Sequence, residues 1–439
     1  VYVAHISVGG GLFLVLTEMK AYRENSREIL AYTKGHTKFF ILLTMVFSGI
    51  TGVGLWFTIS LLSPGPTSTL SPLVVFGFAT EWVCFLLEIV ALFIYYYQFE
   101  KMKPSSHLII GWLYFIFAWL SLFIINGIID FMLTPGDWLN SKSFWDAFFN
   151  PSMWPALFFR TTLAFFLAGV FGFITASLNK KESERENLVR YCSKWLIIPL
   201  PLMLLSGLWY LNVLPHEIRE MILRHSPEIL PAVKLFAVLL PVFLVIGLLM
   251  WVRMPFHIRI VMAFVCLVLG LLFMGSFEWI REAGRRPYLI YQHTYSNAVT
   301  VNNENEINQK GVLKTAKWVK HTELTDENIL EAGKEIFRLE CMVCHSVGGP
   351  MNDILPLTDK FTVFGMDAQL NGQGKILHYM PRFFGTVPER NALATYIVKG
   401  LHGKTEQETS FADMDIPISI PAFGEDSEYV LLAWSPSGM

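Results

Sequence analysis

Residues 260–280 read IVMAFVCLVLGLLFMGSFEWI, twenty-one residues with almost no charge and no proline. Coiled as a helix at about 1.5 Å per residue, such a run crosses the ~30 Å hydrocarbon core of a bilayer. Outward from it the pattern recurs. Apolar segments of similar length lie near 1–18, 39–62, 73–97, 107–133, 155–179, 195–213 and 229–251, so eight spans are expected. The composition agrees: 53% hydrophobic and 16% charged residues, with 36 phenylalanines in 439 residues, make a chain too apolar for an ordinary soluble globule. A formal net charge of -2 offers no basic field, which excludes nucleic acid as a partner and leaves the lipid bilayer. Val1 already lies inside an apolar stretch, so residues are expected to precede it.

Charge orders the spans. The connections after the first, third, fifth and seventh carry fourteen lysines and arginines, among them Lys20, Arg27, Lys101, Lys181, Arg190 and Arg253, whereas those after the second, fourth and sixth hold Lys142, Arg219 and Arg224. The positive-inside rule puts the first set in the cytoplasm and the amino terminus outside. Eight crossings return the chain to the outer side. Everything after Tyr288 is therefore expected in the periplasm of a bacterial cytoplasmic membrane. The polar stretch 289–324, rich in Asn, Lys and Thr, reads as a linker.

Of the five cysteines, Cys84, Cys192 and Cys266 stand in or beside apolar runs and read as small buried hydrophobes. Cys341, Met342, Val343, Cys344 and His345 form C-x-x-C-H, in which two thiols add to haem vinyl groups and the histidine reaches the iron. A helix carrying Ala332, Gly333, Lys334 and Phe337, capped by Thr325 or Asp326, precedes the motif, and a second is expected from about Glu389 to Leu401. Gly333 lets the two approach, with Tyr396 as packing partner. Between them Met380 precedes Pro381, in the manner of the distal-ligand segment of class I cytochromes c. His378 is a rival ligand, and a core methionine is the plainer reading. Residues 325–412 are thus expected to be a small all-α cytochrome c domain with one covalent haem c, followed by an uninterpreted tail, 413–439. Covalent haem c is attached outside the bacterial cytoplasmic membrane, the side on which charge counting had placed this domain.

Ionisable side chains within spans cost a few kcal/mol and tend to line sites. Here they are His5, Glu81, Glu88, Arg160, Lys234 and Glu282. Seven residues separate Glu81 from Glu88, so they share a helix face and suit a proton path. His5 could also be a satisfied polar group at a helix end, and Glu282 an ion-pair partner of Arg285. Arg160 and Lys234 could snorkel or could pair with haem propionates. His216, His225, His293 and His321 read as solvated, and His36, His107 and His257 as structural.

Across nearly the whole membrane part, residues 1–288, the sequence resembles subunit I of the cytochrome bd quinol oxidases. His5 sits on the first span as the family's haem-ligating histidine does. Thr37, Lys38 and Phe39 open the second, which runs into Gly52, Val53 and Gly54. Glu81 to Glu88 resembles the family's two-glutamate helix, one residue shorter in spacing. Asn126–Gly127 and Asn150–Pro151 flank the fourth-to-fifth connection. Glu282-Ala-Gly-Arg285-Arg-Pro-Tyr288 is similar to the family's Glu-x-Gly-Arg-Gln-Pro-Trp, with two substitutions. The resemblance implies a high-spin haem ligated by Glu282, with Arg285 beside the haem pair, and a second, related membrane subunit as partner.

The departures carry expectations too. Arg160 stands where the family has the histidine of its low-spin b haem, and Phe236 where it has the methionine, so that haem is expected to be absent. The loop forming the quinol site shrinks to about Leu214–Glu228. The family's ninth span is replaced by the cytochrome domain. The fold expected is all-α: a polytopic membrane bundle of eight spans plus the small cytochrome c domain. It would hold haem b and/or haem d, two in number, besides haem c. The function expected is a cytochrome c-linked oxygen reductase, fed by a periplasmic c-type carrier, with proton transfer along Glu81 and Glu88. The alternative is a non-catalytic electron-transfer subunit among other subunits of a larger respiratory complex.

Overall fold

The computed structural model describes residues 2–179, 182–225, 229–317, 319–349, 351–375 and 380–405. Among these residues, eight helices are long and apolar enough to cross a membrane: Tyr2–Arg23, Arg27–Leu62, Pro64–Tyr97, Pro104–Phe131, Met153–Ser177, Glu184–Val213, Leu230–Leu249 and Phe256–Gly284. They correspond one for one to the expected spans. Two start at proline, which needs no intrahelical donor in the first turn, Pro64 and Pro104, and Pro199 opens the second helical segment of the sixth. The Arg27 helix instead begins at Ser26, whose hydroxyl accepts from the Ile29 amide at 3.2 Å.

The first and fifth spans are mostly buried, and the other six present apolar faces outward, as lipid-facing helices do. The reason lies in Gly9, Gly10 and Gly11. A Cβ on Gly9 would collide with the Ala164 carbonyl of the fifth span, one on Gly10 with the Phe40 ring of the second, and one on Gly11 with the Tyr114 ring of the fourth, 2.5 Å away. Three successive small residues thus let one helix touch three others, a close approach that van der Waals packing within lipid rewards. Aromatic stacking completes the core, with Phe236 on Phe273 at 4.4 Å and Phe159 on Phe277 at 4.5 Å.

After Gly284 the chain forms a short hairpin, Tyr288–Ile290 with Thr294–Tyr295, and then a helical unit. Its main helices are Ile329–Glu340, Val363–Asn371 and Val387–Thr395, the last continuing as a widened turn to Leu401. Thr325 and Asn328 form a capping box before the first of these, and Thr386 and Glu389 form another before the third. The first and third helices cross at Gly333, where a Cβ would collide with the Ala392 carbonyl and lie 2.7 Å from the Tyr396 Cβ.

The stretch 289–324 does more than connect. Tyr295, Ile307, Val312 and Leu313 are buried in the same core as Ile336, Phe337, Leu393 and Ile397. The physical reason is Glu389. Its buried carboxylate accepts from the Val312 and Leu313 amides at 3.0 and 2.9 Å as well as from Thr386 at 2.8 Å, which satisfies backbone donors that a linker would leave to water.

Candidate functional site

The helical unit and the membrane bundle share a cavity. One wall carries Cys341, Cys344, His345, Met380, Pro381 and Arg382; the other is the end of the bundle, with Met221, Ile229, Ala283 and Arg286. The C-x-x-C-H segment and Met380 thus line one space. His378 and the tail 413–439 lie outside the described residues. His345 Nδ1 donates to the Asn352 carbonyl at 2.9 Å. That bond fixes the tautomer and leaves Nε2 as the ring's ligating nitrogen. Two thiols, an imidazole and a thioether around one space fit a covalently held c-type haem, and Arg286 and Arg382 add the cations that propionates need. Glu340 borders the same cavity. Burial, with the charge of Glu389 adding to it, pushes its carboxyl well above the usual carboxylate range. Burial and the neighbouring Glu340 likewise push the Cys341 thiol up.

Inside the same end of the bundle lies a polar cluster drawn from five helices. Arg160, buried, donates from Nη1 to Glu278 at 3.1 Å and to His5 Nε2 at 3.4 Å. Arg281 donates to the other Glu278 oxygen at 3.1 Å. Among the described residues neither carboxylate oxygen of Asp130 finds a hydrogen-bond partner, nor do Arg160 Nε and Nη2, Asn126 Oδ1 or the Tyr210 hydroxyl. Buried polar atoms left without partners mark the places that waters or a polar ligand complete. Beside the cluster is an apolar cavity lined by Phe159, Met203, Tyr210, Phe236, Phe277 and Arg281 among others. An apolar body with an anionic edge toward Arg281 and Tyr210 fits it, which is the chemistry of a propionate-bearing haem.

The remaining expected residues are placed as follows. Glu282, its side chain 45% exposed, is ion-paired with Arg285 and stands 3.7 Å from Arg281. Arg285 also donates to the Tyr288 and Leu289 carbonyls at 3.2 and 2.9 Å, tying the last span to the hairpin. Lys234 is exposed. Glu81 accepts from the Ser121 hydroxyl at 2.6 Å. Glu88 is buried and accepts from Ser7 and, at 3.2 Å, from Tyr114. The cluster residues Asp130, Glu278 and Arg281 escaped the sequence reading. Their signal was helical spacing: Glu278 and Arg281 precede Glu282 on one helix, and Asp130 follows Asn126 by one turn.

The sequence model of a family described as cytochrome bd terminal oxidase subunit I matches residues 1–234. Among solved structures the chain is similar to the bd oxidase from Geobacillus thermodenitrificans, with 16% identity and a TM-score of 0.59 over 70% of this chain and 88% of that one. At that identity the likeness speaks for the fold. No curated protein matches the chain.

Proposed function

The chain belongs to the cytochrome bd terminal oxidase subunit I family, and on that premise we propose that it is a cytochrome c-linked oxygen reductase of a bacterial respiratory membrane. The cavity shared by the helical unit and the bundle is the observation that carries this reading, because it puts the C-x-x-C-H thiols, His345 and Met380 against the bundle end that also holds the polar cluster. The cytochrome domain lies in the periplasm, takes electrons from a c-type carrier, and a second membrane subunit completes the complex.

Haem groups, when bound, supply the one-electron transfers and the reduction of oxygen. The chain's residues hold and insulate them. Cys341 and Cys344 anchor haem c, with His345 and Met380 as axial ligands. His5, Arg160, Lys234, Glu282 and Arg285 are assigned to b- or d-type haems: His5 and Glu282 as ligands, the cations toward propionates. Of the two glutamates on the last span, Glu278 shares the cluster with His5, while Glu282 stands at its rim and owes its role to the family segment. Glu81 and Glu88 move protons.

One observation favours the second reading, an electron-relay subunit without turnover: Arg160 can only donate, so the lone pair of His5 Nε2 is already engaged. The test is a reduced-minus-oxidised spectrum of the purified protein before and after carbon monoxide, with oxygen uptake measured alongside. A non-covalent haem that shifts with carbon monoxide, together with oxygen uptake, supports the reductase. Spectra silent to carbon monoxide assign the chain to the relay.

A further inference from the structure

At the end of the bundle away from the cytochrome domain, the first, third and fourth spans bury a second polar group. The Tyr95 hydroxyl donates to Glu18 Oε2 at 2.6 Å, His107 Nδ1 lies 2.7 Å from Glu18 Oε1, and His107 Nε2 lies 2.8 Å from the Tyr95 carbonyl. Glu18 is 0% and His107 2% exposed. The Tyr95 ring stacks on the imidazole at 4.3 Å and Phe99 meets its edge at 4.8 Å, which fixes its plane.

The carbonyl decides the proton count. A carbonyl oxygen only accepts, so His107 Nε2 carries a hydrogen. Nδ1 then either donates to a Glu18 carboxylate, as imidazolium, or accepts from a protonated Glu18. The two states differ by the position of one proton across a single 2.7 Å contact. A weld between helices needs no such ambiguity, and a buried ion pair is a weak source of stability.

The surroundings extend the line in both directions. Seven residues before Tyr95 lies Glu88, and seven after His107 lies Tyr114, so the Ser7–Tyr114–Glu88 group repeats the arrangement about 10 Å further along the same three helices. Glu81, on Ser121, lies two turns beyond. On the other side Tyr22, partly exposed, lies against Glu18. The other titratable neighbours are Glu100 at the end of the third span, and Tyr191 on the sixth, which accepts from Thr17 at 3.4 Å.

We propose that Glu18 and His107 are the proton-loading pair of the bundle, taking protons from the side opposite the cytochrome domain and passing them by way of Tyr114 and Ser7 to Glu88 and Glu81. The proposal rests on the oxygen-reductase reading. Each oxygen molecule takes four electrons, from the reduced c-type carrier, and four protons, from the aqueous phase through this pair, to give two waters. Gly111 sits between the two groups, where a Cβ would lie 3.0 Å from the Tyr95 ring and 3.1 Å from Val15.

The test uses the full protein in liposomes, reduced by ascorbate through a soluble mediator, with a pH-sensitive dye reporting proton uptake during reduction and during oxygen turnover. Glu18→Gln and His107→Ala are expected to slow proton uptake about tenfold or more, with the rate of haem c reduction unchanged and with imidazole restoring the His107→Ala protein. Gly111→Ala, which removes no polar group, is expected to slow uptake while leaving the spectra intact, and it serves as the reporter if either other variant fails to fold. Wild-type rates in all correctly folded variants overturn the proposal alone. A wild type that neither consumes oxygen nor takes up protons on reduction overturns it together with the reductase reading.

Discussion

Gly333→Ala separates two outcomes of opposite sign. In an open helix the substitution stabilises by about 1 kcal/mol, because alanine costs less backbone entropy than glycine. Here the added Cβ would collide with the Ala392 carbonyl and lie 2.7 Å from the Tyr396 Cβ and 2.9 Å from the Ala392 carbonyl carbon. Backbone atoms cannot swing aside, so the helices Ile329–Glu340 and Val387–Thr395 have to part by roughly 1 Å, and the buried contacts of Ala332, Phe337 and Leu393 loosen with them. Overpacking of this kind costs about 3 kcal/mol, at the upper end of its usual range. Against the helix-propensity gain the net loss is about 2 kcal/mol, or a melting temperature lower by roughly 8–16 °C for a unit of this size. Thermal melts of the whole protein followed by circular dichroism in the absorption band of the proposed haem c read this unit apart from the bundle. A variant that melts at or above the wild-type temperature would refute the close crossing, and with it the packing around the C-x-x-C-H segment.

Other consequences follow from the shared cavity. Arg286→Ala removes a cation from the bundle's side of it and is expected to lower the midpoint potential of the proposed haem c by about 1–2 kcal/mol, on the order of 50 mV for one electron; an unchanged potentiometric titration would detach the two walls. Met380→Ala is expected to open haem c to carbon monoxide in the reduced spectrum, whereas a haem c that stays silent would move the ligand to another residue. Glu340, with its carboxyl raised by burial, leaves stability whole below about pH 4.5 and erodes it as pH climbs through the carboxylate range toward the raised folded-state value. In Glu340→Gln the melting temperature of the helical unit should lose that fall with pH, and a slope equal to wild type would assign the pH dependence elsewhere.

What could be read from the chain was local. Hydropathy over some twenty residues announces each span, C-x-x-C-H is contiguous, and Gly333 facing Tyr396 is a matter of helix periodicity. What escaped was joined across long distances. Arg160 meets His5 155 residues away and Glu278 118 residues away, and no local pattern in the sequence registers such a pairing. His107 looked structural because its partner, Glu18, lies 89 residues back on another helix. The stretch 289–324 looked like a linker because its short helices are held by a distant carboxylate, Glu389, and by few apolar residues of their own.

A cavity walled half by the cytochrome unit and half by Met221, Ile229, Ala283 and Arg286 also imposes an order on how the molecule is made. If Cys341 and Cys344 hold a haem as proposed, its vinyl groups would have to reach them while that second wall is still away, so haem insertion would come before the unit settles onto the bundle.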